Sequence, residues 1–399
     1  MDPIGNPYSP GAGTPPPELA GRDKLREQVR IAIARIRRGN PAKSILLVGL
    51  RGVGKTVLLE KMRNDAEESG VRTLRIEVPE TRSLPALLAP QLRIILLQLS
   101  KVESAKDIAL RGLRALTGFA SSLKVRYGDI EVGFDEPHEP GLADNGDLEG
   151  DLTALLEQVG FAARKADTAV VLFIDELQYL KEKVDQFSAL ISALHRCAQG
   201  KLPVTLVGAG LPQLLGLAGN AKSYAERLFD FPMIGPLTDV EAESAIVKPA
   251  KNKGVDFTPE AVARIIAETH GYPYFLQEWG KHSWDVASQS PITLSDVLNA
   301  STQTVAALDE SFFRVRFDRL APKEKRYLRA MAELGAGPHR SGDIAIALGK
   351  KVSGFGPVRQ KLITKGMIWS PSHGDTAFTV PLFDEFMKRI MPGSDWKAE

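Results

Sequence analysis

The stretch SILLVGLRGVGKTVLL, residues 44–59, decides how this chain folds. It reads as a short apolar strand, a glycine-rich turn and the opening of a helix. Gly49, Gly54, Lys55 and Thr56 stand at the spacing G-x-x-x-x-G-K-T. Glycines at these places let successive backbone N–H groups curl inward around an anion, and the helix N-terminus adds its partial positive charge. The stretch therefore predicts a phosphate loop made of Gly49, Leu50, Arg51, Gly52, Val53, Gly54, Lys55, Thr56 and Val57. Lys55 is expected to reach the β- and γ-phosphates of a nucleoside triphosphate, and the Thr56 hydroxyl to bind Mg²⁺.

A second stretch completes that reading. TAVVLFIDELQYL, residues 168–180, is a continuous apolar run that ends in Asp175 and Glu176. Such a run fits a buried parallel strand with its carboxylates at the C-terminal edge, where α/β sheets place their ligands. Asp175 is expected to hold Mg²⁺ through water as the acidic partner of Thr56. Glu176 is expected to polarise the attacking water as general base, which favours ATP hydrolysis over a kinase or GTPase arrangement. The fold expectation is α/β, a P-loop NTPase with a parallel sheet. A further buried strand begins at Leu202 and ends in Gly208-Ala209-Gly210, which offers no side chain to sense a γ-phosphate. Gln178 is read either as a substitute for that sensor or as a packing or surface residue. Arg227, in KSYAERLFDF, is read either as a finger on the transition-state charge, in cis or from a neighbouring subunit, or as an ordinary surface arginine.

Composition bounds the rest. The chain has 399 residues, enough for two or three domains, with 43% hydrophobic and 25% charged residues. A net charge of +2 leaves any nucleic-acid contact to a local patch rather than to a global field. The one cysteine, Cys197, cannot form an internal disulfide, which fits a reducing cytoplasm. The six histidines show no metal-ligand spacing. No apolar run approaches the roughly 18 residues of a membrane span, and the N-terminus lacks a signal-peptide pattern.

Along the chain, residues 1–17 are rich in Pro and Gly and read as a mobile tail. Residues 18–237 form the expected nucleotide-binding core. An insertion at about 101–150 includes a hairpin expected at 121–134, turning at Tyr127-Gly128-Asp129. Helical periodicity over 238–310 predicts a lid, with Gly271-Tyr272-Pro273 at a helix junction that places Pro273 near the adenine or simply starts a helix. Residues 311–391 read as three helices and a two-stranded hairpin, a winged helix-turn-helix, before a tail at 392–399. Lys350, Lys351, Arg359, Lys361 and Lys365 make an acid-free basic segment, a candidate footprint for duplex DNA, with Ser353, Gln360 and Thr364 as polar additions. The alternative is that this module packs on the core or binds a protein.

The order GRDKLREQV, GLRGVGKT, FIDELQYL, SYAERLF, GYP and a terminal winged helix resembles the prokaryotic AAA-type ATPases related to origin-recognition proteins and to the signal-transduction ATPases with numerous domains. The resemblance covers residues 18–390 and implies ATP and Mg²⁺ as ligands. It implies that Leu19, Ala20, Gly21 and Arg22 hold the adenine and that Pro273 lines the same pocket. The chain departs from the origin-recognition pattern at Ala209, where a polar first sensor is missing, and around Gly271 to Gln277, which has no second-sensor arginine. The Gly-x-Pro form leans towards the signal-transduction branch. Two partners are therefore expected as alternatives: duplex DNA through the winged helix, or a protein, a further copy of the chain included.

Overall fold

The computed structural model describes residues 1–397 apart from 12, 125, 129, 131–136 and 350–353. The chain divides into two units, one made of Arg22–Val48 and Lys55–Met233, the other of Met1–Gly21, Gly49–Gly54 and Ile234–Glu399.

The first unit is built on runs of apolar residues too uniform for a half-exposed strand. Every residue of β1 (Ser44–Gly49), β3 (Val170–Asp175) and β4 (Val204–Gly210) is buried, as expected where helices cover both faces of a parallel sheet. With β2 (Arg72–Glu77) and β5 (Phe229–Asp230) the strands run in the order β2-β3-β4-β1-β5. All of these pairings are parallel, with Leu46 opposite Gly208 and Ile174 also opposite Gly208. Helices α1 (Asp23–Arg37), α2 (Lys55–Glu68), α3 (Leu84–Leu99), α4 (Lys106–Leu123), α5 (Leu148–Lys165) and α6 (Val184–Gln199) supply the covering layers. Short α7 (Leu214–Ala221) and α8 (Ala225–Leu228) lead into β5. The core runs from Leu46 and Val48 through Leu92, Leu116, Leu155 and Leu172 to Leu190. Ser121 and Leu123 close α4 rather than open a strand. Most of the rest of the expected hairpin lies outside the described residues.

The second unit follows the short strand β6 (Met233–Ile234) with the four helices of the expected lid: α9 (Asp239–Lys251), α10 (Pro259–Thr269), α11 (Pro273–Val286) and α12 (Leu294–Leu308). Thr238 with Glu241 and Thr293 with Asp296 close capping boxes at α9 and α12, which satisfy N–H groups that the first helical turn leaves over. α10 ends at left-handed His270 and Gly271. A Cβ at Gly271 would stand 2.4 Å from the Leu237 carbonyl, so only glycine fits that turn. Beyond α13 (Arg314–Asp318) come α14 (Pro322–Glu333), β7 (His339–Arg340), α15 (Ser341–Ala347), α16 (Gly356–Thr364), β8 (Ile368–Trp369), β9 (Asp375–Phe378) and α17 (Phe383–Ile390). The three strands pair antiparallel in the order β7-β9-β8. The three helices and the hairpin therefore stand where periodicity placed them, and a strand at His339 joins the hairpin. Among the described residues no helix is long and apolar enough to cross a membrane.

The first residues behave differently from their composition. The Met1 ammonium donates to the Ala287 carbonyl at the end of α11, Trp284 Nε1 donates to the Asp2 carbonyl (2.9 Å), and the Tyr8 hydroxyl donates to the Ile246 carbonyl. Tyr8 is 4% exposed, and its ring fills the place where a side chain at Gly280 would stand. Where Pro and Gly content pointed to a mobile tail, residues 1–8 are a segment fastened to the lid.

Candidate nucleotide site

Strand β3 delivers Asp175 to the C-terminal edge of the sheet, beside the first turn of α2. The Thr56 hydroxyl donates to Asp175 Oδ2 (2.7 Å), and the Glu176 N–H donates to Oδ1 (2.8 Å). Asp175 is 1% exposed, and burial pushes its carboxyl above the usual range. The Thr56 hydrogen bond opposes that rise, the neighbouring Glu176 carboxylate adds to it, and the Glu176 N–H and Lys55 ammonium oppose it. A buried carboxylate and a hydroxyl, both hard oxygen donors and already adjacent, are a donor set that suits Mg²⁺. Lys55 opens α2 and is itself buried. Glu176 follows at φ 57°, ψ 35°, a left-handed conformation uncommon for a residue with a side chain. The 3₁₀ turn Leu177–Glu182 then brings Gln178 back against it, and the Gln178 Nε2 donates to the Glu176 carboxylate.

The glycine-rich part of the loop, Gly49–Gly54, belongs to the unit that holds the lid. A Cβ at Gly49 would meet the Ile234 carbonyl at 2.3 Å, and Gly52 and Gly54 take φ of 81° and 86°. The turn thus needs its glycines for close approach and for left-handed backbone. Two of its groups are held from elsewhere in the same unit. The Tyr274 N–H, next to Pro273 at the start of α11, donates to the Gly52 carbonyl (3.2 Å), and the Arg51 N–H donates to the Thr379 carbonyl just after β9 (3.1 Å). Pro273 precedes Tyr274 and opens α11. Ala20 packs on the lid core, and Gly21, at φ 69°, backs onto the Glu241 carboxylate. Arg22 is the N-cap of α1. Tyr274, Thr379 and the second role of Gln178 have no motif in the sequence. Their only signal is position, Tyr274 after the Gly-x-Pro and Gln178 two residues after Glu176.

Other candidates are placed elsewhere. Arg227 is exposed on α8. It lies two residues before Phe229, which pairs with Ser44 at the start of β1, whereas the phosphate loop leaves the far end of that strand. Lys350 and Lys351 lie outside the described residues. Arg359 is bound inside its own module, donating to Thr376 Oγ1 (2.9 Å), Ser370 Oγ (2.8 Å) and the Asp375 carbonyl (2.9 Å). Lys365 donates to Glu324 (2.6 Å) and to the Arg319 carbonyl (3.0 Å). Lys361, on α16, is exposed, and Lys365 keeps an exposed side chain beside its internal partners.

The Lys365–Glu324 pair makes a test of this assignment. Burial acts against the Glu324 carboxylate, but hydrogen bonds from Lys365 and the Ala321 N–H outweigh it and hold the carboxyl below its ordinary value of 4.5. A lowered folded value stabilises at neutral pH, and that stability is lost as pH falls through it. Lys365→Met is expected to cost about 1–3 kcal/mol at pH 7. Urea unfolding should show this cost shrinking below pH 4.5. An equal cost at every pH would show that the pair does not hold the module.

The sheet order, the phosphate loop and the Thr56–Asp175 contact define a P-loop NTPase. More narrowly, residues 18–207 match the AAA ATPase domain, so the chain carries an ATPase domain of the AAA type. Residues 310–387 match a domain of unknown function, DUF8462. Among solved structures the chain is similar to the Walker-type ATPase PABY2304 of Pyrococcus abyssi, at 15% identity over 94% of this chain and 97% of that one, with a TM-score of 0.57. It is less similar to Aeropyrum pernix ORC1 solved in complex with DNA, at 16% identity over 94% of each chain and a TM-score of 0.47. The Thermotoga maritima RuvB Holliday junction branch migration motor matches at 19% identity over 90% of this chain and 92% of that one, with a TM-score of 0.43. No curated protein matches the chain.

Proposed function

We propose that this protein is an ATP-gated switch, in which Mg²⁺-dependent hydrolysis at the phosphate loop sets the state of the C-terminal module. Lys55 and the loop amides would bind the phosphates, and Thr56 and Asp175 would hold Mg²⁺, which would supply charge neutralisation for phosphoryl transfer. Glu176 takes a proton from water as the water oxygen bonds to the γ-phosphorus and the bond to the β-phosphate oxygen breaks. ADP leaves, and the proton departs with phosphate. The observation that carries the switch is the Arg51 N–H bond to the Thr379 carbonyl. A group inside the phosphate loop is held by the module that would respond, so a loop that rearranges around phosphate changes that contact.

The output is read as a protein contact, a second copy of the chain included, in the cytoplasm. Arg359 and Lys365, two of the cations a DNA footprint would need, are spent on internal bonds. The test is hydrogen exchange over residues 366–380 with ATP and Mg²⁺, with ADP, and without nucleotide, for wild type and Lys55→Ala. A difference between nucleotide states that vanishes in Lys55→Ala is expected. Identical exchange in all states would overturn the switch. ATP turnover stimulated by duplex DNA, and dependent on Lys361, would replace the protein partner with DNA.

A further inference from the structure

Three features at the end of β4 have no place in the reading so far. The strand closes on Gly208-Ala209-Gly210, which, as the sequence indicates, carries no polar sensor. A Cβ at Gly208 would lie 2.4 Å from Leu177 Cδ1 and 2.7 Å from Leu46 Cδ2, and a Cβ at Gly210 would lie 2.9 Å from Gln178 Oε1. The glycines therefore leave room for the turn that follows Glu176, and the polar group at this strand end comes from that turn. It is Gln178, 5% exposed. Its Oε1 accepts the Leu211 N–H (3.0 Å), and its Nε2 donates to the Glu176 carboxylate.

We propose that Gln178 is a positioning residue for Glu176, tying the attitude of that carboxylate to the end of β4. This rests on the reading of Glu176 as general base. The orientation of the amide follows from chemistry alone. A backbone N–H needs an acceptor, so Leu211 selects the carbonyl end of Gln178, and the NH₂ end must face the other way. A carboxylate accepts and cannot donate, so it is the partner the NH₂ end requires. Buried amides left without a partner are costly, which makes the two bonds interdependent. Glu176 enters from a left-handed backbone, and the Tyr179 N–H donates to its carbonyl (3.1 Å), so its main chain is fixed and Gln178 fixes one oxygen of its side chain. Any displacement of Leu211 passes through one side chain to the base. The first-sensor position is thus not empty in function, because its strand end acts on the base through Gln178.

Two substitutions separate this from plain packing. Gln178→Glu keeps the shape and can still accept from Leu211, but replaces the donor that faces Glu176. Gln178→Met removes both bonds at similar volume. Both are expected to lower kcat for ATP by roughly 10–100-fold with KM within about twofold, the scale of a base misplaced by about 1 Å. Neither is expected to lower turnover further in a Glu176→Gln background, because a residue that acts only through Glu176 has nothing left to act on. Without nucleotide, exchange of the Leu211 amide should quicken in Gln178→Met and stay at the wild-type rate in Gln178→Glu. Full turnover in Gln178→Glu, a parallel rise in KM, or a multiplicative loss on top of Glu176→Gln would overturn the proposal. Wild-type turnover in Glu176→Gln alone would instead overturn the reading on which it rests.

Discussion

Glu176→Gln will bind ATP and keep it. Turnover is expected to fall by roughly 10²–10⁴-fold, about 3–5 kcal/mol of transition-state stabilisation, while the affinity for ATP stays near that of wild type. The reason lies in what the substitution leaves in place. Lys55, Thr56 and Asp175 are untouched, and the Thr56–Asp175 contact does not pass through Glu176's side chain. The new amide can still accept from Gln178 Nε2 through its own carbonyl, so the 3₁₀ turn after β3 keeps its shape. What disappears is the proton acceptor. The measurement is the identity of the nucleotide that stays with the protein after incubation with ATP and Mg²⁺. Retained ATP in the variant, against released ADP in wild type, is expected. ADP formed by the variant at the wild-type rate would remove Glu176 from the chemistry. Lys55→Ala serves as the contrast, because it should lose the nucleotide itself.

How much of this was readable from residues alone follows from the range over which each feature is encoded. The phosphate loop and the Asp175-Glu176 strand end are local, each dictated by a dozen residues whose spacing has one physical use. The Thr56–Asp175 contact joins residues 119 apart in sequence, yet both ends carry their own motif. The lid helices were legible because their caps, such as Thr238 with Glu241, are written within one turn. Tyr8 was not legible. Its slot exists because Gly280, far along the chain, lacks a side chain, and neither residue signals the other. The internal partners of the basic segment were hidden for a related reason. Charge was visible, but the partners that occupy Arg359 lie 11 to 17 residues away and those of Lys365 lie 41 and 46 away. Gln178 was the nearest miss. A packing or surface residue was the ordinary reading, and only the 3₁₀ turn, which brings i+2 back against Glu176, gives it a second role.

Phe313→Ala is the second large effect, and it tests whether the lid and the C-terminal module respond as one. Phe313 is 1% exposed and sits in the π-helical turn Asp309–Phe313 that follows α12. Its ring stacks on Phe386 of α17 at 5.2 Å and 26°, and meets Phe383, Phe312 and Phe275 at 5.8, 5.2 and 6.3 Å between centroids. Phe312 in turn stacks on Tyr274 (4.6 Å) beneath the Arg316 guanidinium (4.1 Å), and the Tyr274 N–H holds Gly52. One ring therefore joins the helix that touches the phosphate loop to the last helix of the module. Truncation removes the ring and leaves a cavity among aromatic neighbours that cannot collapse into it, at a cost of about 3–5 kcal/mol. For a unit of this size that corresponds to a fall in melting temperature of roughly 6–20 °C. Phe313→Leu, which keeps most of the volume, should cost about 1.5 kcal/mol or less. Below the melting transition of the alanine variant, ATP should still bind, because Lys55 and Thr56 are unchanged, but the response of residues 366–380 should weaken. Melting at the wild-type temperature would show that the ring carries no packing energy. A full ATP response in a destabilised variant would show that the signal reaches Thr379 through its direct bond to Arg51 alone, with the aromatic column serving stability.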